Sequence, residues 1–129
     1  MYWMSAERVI CASHEYPVRA PAEGPARPLH GHNWRIIAHI CAEQLDASGR
    51  VLAPELLEAE LWRVVEPLDH RHLNDLGEFS EAGGSPPTAA GIARLVGERL
   101  ATRLNDDRVR VRRIEVEPRV GLRTAWESP

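Results

Sequence analysis

Apolar and polar residues alternate between Asn33 and Ala42: Trp34, Ile36, Ala38 and Ile40 share one parity, Asn33, Arg35, Ile37 and His39 the other. A period of two predicts a strand with two unlike faces. A first strand is predicted from about Tyr2 to Ser13, with β-favouring Val9 and Ile10 near its end. Between the two, residues 15–29 hold Pro17, Pro21, Gly24, Pro25 and Pro28, a loop by composition. Asp46-Ala47-Ser48-Gly49 is a turn signal. The period then lengthens. Pro54 suits a first helical position, Leu57, Leu61, Val64 and Val65 follow at helical spacing, and Pro67 ends the run. Thr88 is a good N-cap for a second helix with the stripe Ile92, Leu95, Val96, Leu100 and Leu104. Val109 to Glu117 reads as a third strand, and the turn from Pro118 to Gly121 leads into a short fourth ending near Trp126.

The order strand–strand–helix–helix–strand–strand predicts one α+β domain over residues 1–129: a four-stranded antiparallel sheet with two helices on one face. The edges of such a sheet are commonly closed by self-association. With 129 residues, 43% of them hydrophobic and 27% charged, the chain suits one soluble core. A net charge of −3 argues against a general binder of nucleic acid or acidic membrane. Arg108, Arg110, Arg112 and Arg113 interleave with Val109, Val111 and Ile114, which reads as a strand with a solvated face or as an anion-binding patch. Met1-Tyr2-Trp3-Met4 soon meets Glu7 and Arg8, so no signal-peptide core is expected, and no run of about 18 apolar residues predicts a membrane span. Cys11 and Cys41 make no disulfide framework; both read as small buried residues, and a cytoplasmic location is expected.

The candidate chemistry lies in the histidines. His30-Gly31-His32 opens the second strand, so both imidazoles face one side, with α-carbons about 6–7 Å apart. His14 ends the first strand. If the two strands pair antiparallel, the three imidazoles meet, and three neutral imidazoles with an open fourth position suit a catalytic Zn²⁺. His39 lies on the opposite face, roughly 23 Å along the strand from His32. A second constellation is Leu68-Asp69-His70-Arg71-His72-Leu73-Asn74. Here Asp69 beside His70 is either an oriented general base or a helix-end charge cluster.

Taken together, His14, Leu29-His30-Gly31-His32-Asn33, Leu68-Asp69-His70 with Leu73-Asn74, and Pro87-Thr88 before a helix resemble the 6-pyruvoyl-tetrahydropterin synthase and 6-carboxy-tetrahydropterin synthase family. The resemblance spans nearly the whole chain. It implies the tunnelling fold (T-fold), Zn²⁺ on His14, His30 and His32, and Asp69 with His70 as the acid/base pair of a site formed between subunits. It also implies a barrel-forming trimer that pairs into a hexamer.

Several family positions differ. The thiol expected shortly before the paired histidines is missing from Gly24-Pro25-Ala26-Arg27-Pro28, and Glu23 is the nearest glutamate. Ala90 stands where the PTxEN helix start has its glutamate, and Gly49-Arg50-Val51-Leu52-Ala53-Pro54 lacks the aspartate that follows the turn. Counting two residues from Val116 for the pterin-anchoring glutamate lands on Pro118, so Glu117 or Glu115 serves only if a bulge shifts the register. Glu117, Thr88 and Trp34 are the candidate substrate-binding residues. Trp34 and Trp62 also read as core aromatics, and Arg119 and Arg123 as hairpin charges or anion ligands. Three functions follow: a zinc-dependent lyase or cyclase acting on a small hydroxy-carbonyl compound other than a standard pterin, a true pterin synthase with a rearranged site, or a non-catalytic zinc-bearing assembly module.

Overall fold

Two long strands, β1 (Tyr2–His14) and β2 (His30–Ala42), run antiparallel in unbroken register, from Tyr2 opposite Ala42 to His14 opposite His30. The alternation read from the sequence now acquires two sides. Ile10, Ala12, Trp34, Ile36, Ala38 and Ile40 are buried on one face. Two helices, α1 (Pro54–Val65) and α2 (Ala89–Leu104), cover that face with Leu57, Leu61, Ile92, Val96 and Leu100. Pro54 begins α1 and Thr88 caps α2, its side chain accepting a hydrogen bond from Gly91 N–H at 3.1 Å. The computed structural model describes residues 1–15, 30–80 and 84–129; the loop expected over residues 15–29 lies, beyond Glu15, outside the described residues.

The sheet differs from the expected four antiparallel strands. It has five, in the order β3-β1-β2-β4-β5, and it is mixed. The additional strand, β3 (Arg71–His72), pairs parallel with Ala12 and Ser13 of β1. Two residues carry no periodicity, and side chains hold much of this segment in place. Asn74 accepts from Glu15 N–H at 2.9 Å and donates to Glu15 C=O at 2.8 Å, while the Ser13 hydroxyl lies 3.0 Å from His72 Nδ1. The strands β4 (Val109–Arg119) and β5 (Leu122–Glu127) complete the sheet as a hairpin. Among the described residues, nothing pairs the outer edge of β1 before Cys11, nor that of β5.

The face without helices is charged. Arg35 is ion-paired with Glu7, and Arg113 with Glu127; Arg123 meets Glu117 at 2.6 Å and His39 meets Glu115 at 2.8 Å. Those partners hold the Glu7 and Glu115 carboxyls below the usual glutamate range, chiefly through the hydrogen bonds from Arg35 and His39 respectively. Cys11 faces this side and is exposed, against the expectation that both cysteines are buried; Cys41 is buried. Cys11 stands one residue out of phase with Ile10 and Ala12, which fill the core.

On the covered face, the Trp126 ring lies over Gly97 of α2, where a β-carbon would come within 2.2 Å of the indole. Gly97→Ala is therefore expected to destabilise by about 1–3 kcal/mol through overpacking, seen as melting roughly 5–10 °C lower by calorimetry. An unchanged melting temperature would mean that the hairpin shifts freely off the helix.

Candidate metal centre and acid–base pair

The antiparallel register that sets His14 opposite His30 also sets Ala12 opposite His32. All three histidines therefore share the helix-covered face, at one end of the sheet. Among the described residues, one ligand nitrogen from each lies within 4.8 Å of the others. The ring centroids are 4.5, 5.1 and 4.7 Å apart for His14–His30, His14–His32 and His30–His32. Trp34 lies beneath them, 4.9 Å from both His14 and His32, with its indole N–H donating to Ala12 C=O at 3.1 Å. Its burial at 1% exposure makes it the packed floor of the cluster.

The donor set fits a zinc ion. His14 Nδ1–H donates to the Pro87 carbonyl at 2.6 Å, which fixes its tautomer and turns an Nε2 lone pair toward His30 Nε2, 3.0 Å away. Tetrahedral zinc at about 2.0–2.1 Å from nitrogen places its ligands roughly 3.3 Å apart, close to that spacing. Burial is the main influence lowering the basicity of His14 and of His32, and neighbouring imidazoles add to it, so both are held in the neutral form a metal needs. The Pro87 carbonyl is a functional group that side-chain reasoning passed over; its only trace was the Pro87-Thr88 pair. Thr88 itself is half-buried, with its hydroxyl engaged in capping α2.

The same shifts set a pH dependence for the metal-free chain. Burial depresses the folded-state values of His14 and His32 below the ordinary 6.5, so between those values and 6.5 only the unfolded chain takes up the protons. Stability contributed by these groups is complete above pH 6.5 and falls as the pH drops through that window. Urea unfolding in chelator should show a decline beginning below pH 6.5. Equal stability at pH 7.5 and pH 5 would contradict it.

Asp69 and His70 lie elsewhere on the sheet. Asp69 accepts from the Cys11 N–H at 2.9 Å, and its carboxylate is 3.1 Å from His70 Nδ1. His70 has φ 59°, a left-handed conformation, its N–H donates to Cys11 C=O at 2.6 Å, and its side chain is 80% exposed. The pair is thus oriented and pinned to the outer edge of β1, with the imidazole turned outward rather than into the histidine cluster of its own chain.

Glu117 is 6% exposed although it directly follows buried Val116. Its carboxylate lies on the charged face against Arg123 and Arg35, because the frame of β4 shifts before it. Ile40 pairs with Val111 and His39 with Arg113, so Arg112 is an extra residue in β4; the β4–β5 register also shifts between Val116 and Arg119. Glu117 lines a cavity of about 480 Å³ together with His32, Asn33, Arg35 and Arg119. Its Oε2 meets Arg123 at 2.6 Å and Arg35 at 3.8 Å. Glu115, by contrast, is held by His39 and Arg113.

The sequence matches the family model described as 6-pyruvoyl tetrahydropterin synthase over residues 4–123. No curated protein matches the chain in sequence. Among solved structures, 6-pyruvoyl tetrahydropterin synthase from Caenorhabditis elegans superposes with a TM-score of 0.78 at 22% identity, covering 100% of this chain and 98% of that one. An uncharacterized protein from Wolinella succinogenes gives 0.76 at 20% identity, covering 99% and 98%. The 6-pyruvoyl tetrahydropterin synthase of Plasmodium falciparum gives 0.71 at 15% identity, covering 98% and 97%. At these identities the superpositions establish a common fold.

Proposed function

Because the chain belongs to the 6-pyruvoyl tetrahydropterin synthase family, a family of lyases with the T-fold, we propose that it is a zinc-dependent lyase or cyclase acting on a small hydroxy-carbonyl compound. The observation that carries this reading is the convergence of His14, His30 and His32, with His14 oriented by the Pro87 carbonyl. When bound, zinc would supply Lewis-acid polarisation of a substrate oxygen. Around that oxygen, His70, oriented by Asp69, moves the proton that enolisation, elimination, retro-aldol cleavage or ring closure requires. Arg119, exposed at the mouth of the Glu117 cavity, suits an anionic substituent.

The outward-facing His70 and the two open sheet edges favour a self-associated protein, a trimer or hexamer, in which the pair of one subunit serves the zinc of its neighbour. Cytoplasmic work fits the two free cysteines; no described helix is long and apolar enough to cross a membrane.

Within this function the substrate divides two readings. The lost thiol and the Ala90 replacement favour a compound other than a standard pterin. The position of Glu117 favours a true pterin synthase: a carboxylate in a cavity beside His32 suits the paired N–H edge of a pterin. Mass spectrometry of the zinc-loaded protein incubated with 7,8-dihydroneopterin triphosphate separates them. Conversion to a pyruvoyl, carboxy or side-chain-cleaved pterin establishes the second; an unchanged substrate with one zinc per subunit excludes it and leaves the first.

A further inference from the structure

A second cavity, of about 590 Å³, opens on the charged face at the end of the sheet away from the histidines. Trp3 and His14 are eleven residues apart along β1, which separates this cavity from the metal centre by roughly 35 Å. Its centre is one row across three strands: Trp3 stands opposite Cys41, and Cys41 opposite Arg110. Two inter-strand spacings place the backbones of Trp3 and Arg110 about 10 Å apart, and the small Cys41 side chain between them forms a low floor. Trp3 is 57% exposed, which leaves much aromatic surface open.

The charges point the same way. Elsewhere on this face Arg35, Arg113 and Arg123 are each ion-paired. Arg110 and Arg112, both exposed, have no carboxylate within ion-pair distance among the described residues. Both line the cavity, Arg112 as the extra residue of β4 and Arg110 two positions before it, so both guanidinium groups can reach one phosphate. Arg108 stands behind them, its guanidinium fixed by the carbonyls of Gln44 at 3.0 Å and Val51 at 2.7 Å. Glu43 and Asp107 complete the rim and limit how much negative charge the cavity accepts.

We propose that this cavity binds a planar aromatic ligand carrying a single phosphate, of the nucleoside monophosphate type, with the ring stacked on Trp3 and the phosphate held between Arg110 and Arg112. A flat ring fills the gap beside the indole, the paired arginines take the phosphate oxygens, and the rim carboxylates accept from ring or sugar donors. This site is independent of the metal centre and of the reaction proposed for it.

Isothermal titration of the full-length, zinc-loaded protein tests it, using adenosine 5′-monophosphate, adenosine and inorganic phosphate as separate probes. The monophosphate should bind at least tenfold more tightly than either fragment. Trp3→Ala and the double variant Arg110→Gln/Arg112→Gln should each weaken it at least tenfold, whereas His32→Ala should leave it unchanged. All three variants change exposed or half-buried side chains, and far-UV circular dichroism checks their folding. The proposal is overturned if the monophosphate binds no better than phosphate, or if His32→Ala weakens it as much as the arginine changes do. It is equally overturned if the arginine variant alters sedimentation of the ligand-free protein while no probe binds, because this face is then an interface between copies.

Discussion

A His32→Ala protein is expected to fold, to lose zinc at micromolar concentrations and to lose activity on the order of 10³-fold or more. Zinc polarisation contributes several kcal/mol to such reactions, and each 1.4 kcal/mol is a factor of ten in rate. His32 is the informative position because it is only partly buried, whereas His14 is fully enclosed and its truncation would open a hole in the core. His30→Ala should behave in the same way. Metal content by mass spectrometry, read beside turnover, separates a lost ligand from a lost fold. Full activity with no bound zinc would refute the proposed chemistry.

The second large effect concerns the acid–base pair. His70→Asn is the appropriate substitution because residue 70 has φ 59°, and asparagine tolerates the left-handed region where alanine is strained. Asp69→Asn likewise keeps an oxygen to accept from the Cys11 N–H while removing the charge that orients the imidazole. Either change should lower turnover about 10²–10⁴-fold with zinc content intact. Normal turnover in the double variant would instead favour a non-catalytic assembly module. Mixing then tests where the pair acts. If His70 serves a neighbouring subunit, co-refolded His32→Ala and His70→Asn chains should regain roughly a quarter of the wild-type rate, since half the zinc sites are intact and half of the neighbours supply the imidazole. No recovery would place both groups in one chain's own site.

Much of this arrangement is legible in the residues themselves. The parity of β2, the prolines bounding α1 and the capping Thr88 identify the elements, because each follows from a local rule that tertiary contacts reinforce. The histidine cluster is legible too: spacing of two places His30 and His32 on one face, and antiparallel pairing brings His14 to them. Other features depend on contacts distant in sequence. The two-residue β3 is held by Asn74 and His72, whose partners Glu15 and Ser13 lie 59 residues away in each case. The Pro87 carbonyl belongs to the backbone, so residue identity conceals its role as the orienting partner of His14. The exposure of Cys11 follows from its parity in β1, but a thiol's small size and usual burial argued the other way.

The extra residue in β4 makes this strand sensitive to its own length. Val109 and Val111 face the helices before Arg112, and Ile114 and Val116 face them after it, although the two pairs have opposite parity. Deleting Arg112, whose exposed side chain takes no part in the core, would put one pair out of step with the other. If the hairpin end kept its new frame, Ile114 and Val116 would turn toward the charged face, and Glu115 and Glu117 would be driven beneath the helices. A lost codon at position 112 is therefore more damaging to this core than the exchange of Arg112 for another polar residue: packing depends on the count between Val111 and Ile114, not on which residue fills it.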